Sequence, residues 1–202
     1  MRLGVLGGTF DPPHAGHLRM ARLAQHQLGL DGVMFVPCAA QPLKGRPPLT
    51  SPYHRAAMVA LALGGRQTWS LELRELERGG VSYTVDTLEG LRKEHPGAEL
   101  FLIVGGDSLG TFRRWRRAER ILALASLAVV PRAGEGTNVP NWGEGRVHVL
   151  RAAELSVSST QVRGLLSQGK DVTGLVPAAV VRYIERQGLY ASPRGRRQRR
   201  TS

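Results

Sequence analysis

Residues 7–17 of the chain read GGTFDPPHAGH and lie between a short apolar run, residues 3–6, and an amphipathic run, residues 18–28. The apolar run predicts a buried first strand, and the amphipathic run predicts a helix. We expect the two glycines to form a turn between them, where backbone approaches a ligand without hindrance from a Cβ atom. The helix start would offer unpaired N–H groups and the positive end of its dipole. The stretch therefore predicts a phosphate-binding site.

Two histidines, His14 and His17, follow the glycines and are three residues apart. On a first helical turn this spacing projects both rings to one side. Pro13 suits a helix start, because its φ is fixed and it lacks an N–H group that would go unused there. A Gly-Gly turn alone is ordinary structural punctuation, but the added histidine pair favours a binding site. The stretch contains neither the G-x-G-x-x-G pattern of dinucleotide-binding turns nor the Gly-Lys-Ser/Thr of a Walker A loop.

The same stretch resembles the T/H-x-G-H signature of the nucleotidyltransferase superfamily. Its longer form, G-G-T-F-D-P-x-H-x-G-H, is similar to bacterial nicotinate-nucleotide adenylyltransferases. That resemblance implies transfer of the AMP part of ATP to nicotinate mononucleotide, which gives deamido-NAD and pyrophosphate. It also implies that His14 and His17 are catalytic, and that ATP is contacted by both histidines and by Gly7, Gly8, Thr9, Phe10 and Gly16.

A second motif, VSSTQVR at residues 157–163, places hydroxyl groups just before a predicted helix and an arginine in its first turn. An ordinary capped helix with a solvated arginine explains this pattern as well. The motif resembles the family's I-S-S-T-x-I-R. By that resemblance the helix start, with Ser158, Ser159 and Thr160, binds the β- and γ-phosphates of ATP, and Arg163 assists catalysis.

A third motif, GGDSL at residues 105–109, follows a predicted strand and is followed by Trp115. It resembles a family pattern in which Gly105 and Asp107 contact ATP and Asp107 also contacts the substrate. Trp115 then corresponds to a tryptophan that stacks on the pyridine ring. Without the resemblance, Asp107 is equally a helix N-cap, and Trp115 is a partly covered surface residue among arginines.

Further substrate contacts are implied by SYTVDTL at residues 82–88 and by two basic residues. The heptad resembles the family's S-Y-T-x-D-T-L, so Tyr83 and Thr84 are expected at the nicotinate carboxylate, although a capped helix is the plainer explanation. Lys44 and Arg132 are candidates for the substrate phosphate; the alternative is that both are simply exposed cations. Leu43 stands where the family often has histidine.

Composition limits the class of protein. The 202 residues carry a net charge of +12 and one cysteine, so no disulfide forms within the chain, and Cys38 is expected to be buried. The longest apolar run, residues 121–130, is too short to cross a bilayer, and no leader precedes the first strand. We therefore expect a cytoplasmic protein without membrane contact. Residues 191–202 hold five arginines and no acid, which predicts a disordered tail beyond a domain at 1–190.

Strand and helix patterns alternate along the domain. This alternation predicts an α/β fold, a Rossmann-like, doubly wound and mostly parallel sheet with helices on both faces. The predicted strands are residues 2–6, 33–37, 69–73, 100–104, 127–130 and 147–149. The predicted helices are residues 17–28, 52–63, 85–94, 118–124, 160–167 and 177–186, with a loop at 133–146.

The expected reaction is direct attack by the nicotinate mononucleotide phosphate on ATP, because no serine or cysteine stands beside an evident base. No carboxylate cluster suggests a protein metal site, so Mg²⁺ is expected to be carried with ATP. Two alternatives stay open: a related adenylyltransferase for nicotinamide mononucleotide or phosphopantetheine, and a non-catalytic nucleotide-binding regulator. The basic tail has no expected specific nucleic-acid partner, although weak binding is compatible with its charge.

Overall fold

A computed structural model of the chain describes residues 1–40, 48–131, 141–143, 145–151 and 157–191. Six strands form one sheet in the order β3-β2-β1-β4-β5-β6, and every neighbouring pair is parallel. The strands are β1 (Arg2–Gly8), β2 (Gly32–Pro37), β3 (Trp69–Leu71), β4 (Glu99–Gly105), β5 (Ala125–Val130) and β6 (Val147–Val149). This order is that of a doubly wound sheet whose direction of winding reverses between β1 and β4. The predicted fold is confirmed, and the reversal marks the edge where such sheets bind ligands.

Eight α-helices accompany the strands within the described residues. They are α1 (Ala15–Leu28), α2 (Pro52–Leu63), α3 (Arg74–Arg78), α4 (Thr84–Glu94), α5 (Gly106–Thr111), α6 (Ala118–Leu124), α7 (Ser159–Ser167) and α8 (Ala178–Gln187). Six were predicted within two residues of their bounds. The two that were missed, α3 and α5, span 5 and 6 residues, too few to repeat an apolar period.

Helices cover both faces of the sheet, as predicted. Along β4, Leu100 and Leu102 belong to one apolar cluster, which includes side chains of α4 and α6. Phe101 and Ile103 belong to the other cluster, with side chains of α1 and α2. This alternation follows from the period of two in a strand. A third cluster joins α2, α7 and α8 and places the C-terminal helices against the same side of the molecule as α2.

The prediction that Gly7 and Gly8 form a turn is wrong. Both residues lie in β1, where Gly7 pairs with Val36 and Gly8 with Pro37 of β2. The pairing with β2 outweighs the low strand propensity of glycine. A Cβ atom on Gly8 would lie 3.1 Å from the Phe10 ring, whereas nothing lies within 4 Å of one on Gly7. The chain turns after Gly8 instead, at residues 9–13.

Other predictions are met or fall outside the described residues. Cys38 is 4% exposed and so buried, as expected. The third strand ends at Leu71, two residues earlier than predicted. The tail from residue 192 and most of the predicted loop at 133–146 lie outside the described residues. Each helix of the described ranges is too short or too polar for a membrane span.

Candidate active site

The histidine pair lies at the carboxyl end of β1, at the start of α1. His14 is the N-cap of α1 with an extended φ of −142°. Its backbone N–H donates to Nδ1 of His17 at 3.2 Å, and the two ring centroids are 3.8 Å apart. The rings therefore share one side of the helix start, as predicted. Pro13 directly precedes this N-cap, so it lies just outside the helix and not in its first turn.

A hydrogen bond at His17 and burial at His14 assign the proton of each neutral ring to one nitrogen. Because Nδ1 of His17 accepts the His14 amide, the proton of a neutral His17 ring is on Nε2. Nδ1 of His14 is buried without a hydrogen-bond partner. A buried lone pair is tolerated better than a buried N–H group, so the His14 proton is also assigned to Nε2. Both rings are thus donors through Nε2.

The two histidines differ in exposure. His17 is half-buried, whereas His14 is 6% exposed. Burial lowers the pKa of His14 from 6.5 to about 4, because the charged imidazolium loses its hydration. His14 is therefore a neutral donor at physiological pH, enclosed more deeply than its place at a helix start had indicated.

Gly16 is the residue that lets His14 lie against the helix. A Cβ atom at this position would come within 2.9 Å of Nδ1 and 3.0 Å of Cε1 of the His14 ring. It would also lie 3.3 Å from the carbonyl oxygen of Val157. The contact explains the glycine of the motif as a steric requirement of the neighbouring histidine, not as flexibility.

The Phe10 ring packs between the His17 ring and the apolar core. Its φ is +51°, in the left-handed region, and the residue is 1% exposed. The ring lies 4.8 Å from the His17 ring, edge to face, and 6.0 Å from Phe35. The whole residue is covered, so the ATP contact that the resemblance implies at Phe10 stays a prediction. Gly7 is exposed, while Gly8 and Thr9 are half-buried beside it.

The first N–H group of α1 is already used. The amide of Ala15 donates to the carbonyl oxygen of Leu175 at 2.8 Å, and the amide of His17 donates to the His14 carbonyl at 3.0 Å. These two groups are not available to an anion. The start of α1 therefore presents a ligand with the imidazole rings of His14 and His17 rather than with the backbone amides of residues 15 and 17.

Arg163 lies beside residues 9–14, which we call the histidine loop, although 146 residues separate it from His17 in sequence. Its Nη1 donates to the backbone carbonyl of Asp11 at 2.7 Å, and Nη2 donates to Oγ1 of Thr160 at 3.3 Å. Ser158 caps α7 by accepting from the Gln161 amide. Ser159 donates to the carbonyl oxygen of Pro12 at 3.1 Å. The two strongest sequence motifs are thereby brought together at one corner.

Asp11 and Arg55 are structural members of the site to which the sequence analysis assigned no role. Asp11 is 2% exposed and accepts hydrogen bonds from residues 49, 50 and 190. Arg55, which is fully buried, donates to the carbonyl oxygens of Thr9 at 3.0 Å and Cys38 at 2.6 Å. Its Nη2 donates to Ala39 at 3.4 Å. Arg55 thus fixes the carboxyl ends of β1 and β2. Partners this distant in sequence leave no local pattern.

Gly105 and Asp107 lie across the switch point from the histidines. β4 ends at Gly105, and Asp107 is exposed in the first turn of α5. Trp115 follows and is half-buried, with its ring centroid 5.5 Å from that of Phe112. The indole Nε1 of Trp115 is buried without a hydrogen-bond partner. These residues share the carboxyl edge of the sheet with the histidine loop.

Tyr83 and Thr84 are held at the same edge through Ser82. The Ser82 amide donates to the carbonyl oxygen of Ala40 at 2.9 Å, and Oγ of Ser82 accepts from the Ala39 amide at 3.0 Å. Tyr83 is the N-cap of α4, and Thr84 is its first residue; both are half-buried. The start of α4 is therefore fastened to the chain just beyond β2.

Two predicted substrate residues, Lys44 and Arg132, lie outside the described residues, as does Leu43. In the described ranges, no three His, Cys, Asp or Glu side chains are grouped so as to hold a metal ion. The site that the structure does describe is a corner with imidazole and guanidinium donors, suited to a phosphate chain.

Comparison with known proteins gives a consistent result. The family model described as cytidylyltransferase-like matches residues 5–165. A probable nicotinate-nucleotide adenylyltransferase of Gemmatimonas aurantiaca is 41% identical, over 96% of this chain and 95% of the relative. The nicotinate-nucleotide adenylyltransferase of Bacillus subtilis is 37% identical, over 95% of this chain and 99% of that protein.

Solved structures with the same architecture include nicotinic acid mononucleotide adenylyltransferase of Plasmodium falciparum, complexed with NaAD. The TM-score is 0.77 at 19% identity, and the match covers 94% of this chain and 97% of that one. A second structure of that Plasmodium protein, complexed with APC, gives a TM-score of 0.76. At these identities the structural match supports the fold.

Proposed function

Because the chain belongs to the cytidylyltransferase-like family, and within it to the nicotinate-nucleotide adenylyltransferases, we propose that it transfers the adenylyl group of ATP to nicotinate mononucleotide. The products are deamido-NAD and pyrophosphate. The observation that carries the proposal is the contact of the His14 and His17 rings at 3.8 Å, next to a loop whose Asp11 carbonyl is bonded to Arg163. Imidazole and guanidinium donors at one corner suit a phosphate chain that gains charge during transfer.

The chemistry is a direct displacement. A phosphate oxygen of nicotinate mononucleotide forms a bond to the α-phosphorus of ATP, and the bond from that phosphorus to the bridging oxygen of the β-phosphate breaks. Pyrophosphate leaves with the electron pair. The nucleophile is already an anion, so the protein needs no covalent intermediate and no general base. Catalysis then consists of positioning, worth roughly 7–11 kcal/mol, and of stabilising the developing charge.

Each group at the corner has a proposed role. The Nε2–H groups of His14 and His17 donate to oxygens of the phosphate chain. These hydrogen bonds strengthen as negative charge moves toward the leaving pyrophosphate. Arg163, whose guanidinium is oriented by the Asp11 carbonyl, binds the β- and γ-phosphates. Ser158 is engaged as the α7 cap and Ser159 with Pro12, so we assign these two to shaping the corner and Thr160 to the phosphates.

We assign the exposed backbone of Gly7, with the neighbouring Gly8 and Thr9, to contact with the nucleotide. Asp107 lies across the switch point, where we propose that it contacts the ribose of either substrate. The pyridine ring is assigned to Trp115, and its carboxylate to the start of α4 at Tyr83 and Thr84. Lys44 and Arg132 remain candidates for the substrate phosphate.

We propose that Mg²⁺ arrives as part of the MgATP substrate. Mg²⁺ commonly keeps several waters and binds through substrate phosphates with one or two carboxylates, and Asp107 is an exposed carboxylate at this edge. The ion screens the triphosphate. The protein's own donors then need to supply only the geometry and the remaining charge stabilisation.

The product assay tests the proposal. Purified protein is incubated with MgATP and nicotinate mononucleotide, and deamido-NAD and pyrophosphate are quantified in parallel. Equal molar amounts of both products are expected. ATP binding without either product would leave a nucleotide-binding regulator as the better account. Faster reaction with phosphopantetheine than with nicotinate mononucleotide would identify a different adenylyltransferase.

A further inference from the structure

Asp11 is a buried carboxylate at the centre of the histidine loop. It is 2% exposed, and three described donors satisfy its oxygens. Oδ2 accepts from the Leu49 amide at 2.7 Å. Oδ1 accepts from Oγ1 of Thr50 and from the hydroxyl of Tyr190, each at 2.6 Å. A carboxylate this enclosed depends on these donors, because burying a charge without hydrogen bonds is costly.

The main chain of Asp11 faces a different partner. Its carbonyl oxygen accepts from Nη1 of Arg163 at 2.7 Å, and the next carbonyl, that of Pro12, accepts from Ser159. The side chain of Asp11 is therefore held by residues 49 and 50 and by Tyr190, while its backbone carbonyl contacts Arg163. A single residue therefore joins the carboxylate that accepts from Tyr190 to the carbonyl that accepts from Arg163.

Tyr190, which lies near the C-terminal end of the described residues, donates one of the hydrogen bonds to Asp11. It lies two residues beyond Gly188, the C-cap of α8, and its own φ is +60°. Burial is the main cause that raises the pKa of the Tyr190 phenol, and the hydrogen bond to Asp11 adds to it. The phenol therefore keeps its proton and remains a donor.

We propose that Tyr190 is a positioning residue for ATP binding, acting through Asp11 to hold Arg163 against the phosphate chain. The inference rests on the proposed function for the role of Arg163, and it goes further by making the C-terminal segment part of the site. The connection runs from the phenol to the carboxylate, along one residue of backbone, and from its carbonyl to the guanidinium. The first and last steps are hydrogen bonds of 2.6 and 2.7 Å, and the step between them is covalent.

The test compares Tyr190→Phe with Tyr183→Phe. Tyr183 belongs to α8 and its hydroxyl bonds Nδ1 of His54 at 2.9 Å, so its variant loses a tyrosine hydrogen bond in the same region without touching Asp11. Calorimetry measures the Kd for ATP, which keeps the result independent of turnover. Loss of one charge-assisted bond predicts a Kd roughly tenfold higher in Tyr190→Phe. The Kd of Tyr183→Phe is expected to stay within about twofold of wild type, well under the tenfold change.

A double-mutant cycle separates positioning from general destabilisation. In an Arg163→Gln background, Tyr190→Phe is expected to change the Kd for ATP by less than about twofold, because the arginine it positions is gone. A full tenfold change in both backgrounds overturns the proposal. An equal change in Tyr183→Phe also overturns it, because a loosened α8 would then explain the loss.

A second variant guards against a Tyr190→Phe protein that fails to fold. Thr50→Val removes the other hydroxyl from the same Asp11 oxygen and leaves the C-terminal segment intact. It is expected to raise the Kd for ATP in the same direction, and an unchanged Kd sinks the proposal. If wild type binds ATP but forms no deamido-NAD, the proposed function fails while the cycle on ATP affinity still decides this inference.

Discussion

Gly16→Ala is the sharpest perturbation of the histidine pair. The added methyl carbon would lie 2.9 Å from Nδ1 and 3.0 Å from Cε1 of His14, closer than real Cβ contacts. The Val157 carbonyl, 3.3 Å away, limits relief in that direction. The His14 ring must therefore shift by several tenths of an ångström, away from the place where it donates.

The expected effects on kcat and on stability have different origins. A misplacement of about 1 Å costs up to 10²-fold in rate, so a smaller shift predicts a fall in kcat of roughly 10- to 100-fold. Stability moves in two directions, because alanine favours the helix by about 0.5–1 kcal/mol and the strain works against it. We therefore expect catalysis to fall far more than the melting temperature does.

The assay is pyrophosphate release at saturating substrates, with thermal unfolding in parallel. Gly164→Ala is the matched control, because it adds the same methyl group to a helix where nothing lies within 4 Å of an ideal Cβ. It should retain near-wild-type kcat. A Gly16→Ala enzyme within about threefold of wild type would refute the steric argument, since a shift of this size is expected to cost more.

Three further predictions concern the histidines and the substrate. Removing one donor in His17→Ala should lower kcat by roughly 10²–10³ with the circular dichroism spectrum unchanged, and a few-fold loss would remove His17 from the catalytic groups. The pKa of His14 is about 4 in the folded protein and 6.5 otherwise, so the unfolded chain binds more protons between these values and stability falls as pH falls from 6.5 to 4. The shift corresponds to about 3 kcal/mol, measurable by urea unfolding of wild type against His14→Asn; parallel pH profiles of the two proteins would contradict it. Nicotinate mononucleotide should exceed the nicotinamide form in kcat/KM by roughly tenfold or more, because the start of α4 favours a carboxylate, and equal values would refute that assignment.

The sequence predicted the layers of the fold because they depend on periodicity. The continuous apolar run in β4 and the helical spacing in α1 are local patterns. The all-parallel sheet follows from the alternation of strands and helices along the chain. The pairing of Gly7 and Gly8 with β2 was not predicted, since glycine has no side chain to show a strand face. The short helices α3 and α5 were missed for lack of length.

Some features of the site could likewise be predicted from the sequence, and others arise only from tertiary contacts. The contact of His14 with His17 follows from a spacing of three residues, and the approach of Arg163 was implied by resemblance. The hydrogen bonds of Asp11 to Thr50 and Tyr190 join groups 39 and 179 residues apart, so no local pattern contains them. The burial that lowers the pKa of His14 likewise arises from tertiary packing.

The central claim is that both imidazoles donate to the same bound phosphate chain. A crystal structure with a non-hydrolysable ATP analogue and Mg²⁺ tests it directly. We predict Nε2 of His14 and Nε2 of His17 each at about 2.7–3.2 Å from a phosphate oxygen, with Arg163 on the outer phosphates. A nucleotide bound elsewhere, or either ring turned away from the phosphates, would contradict the account.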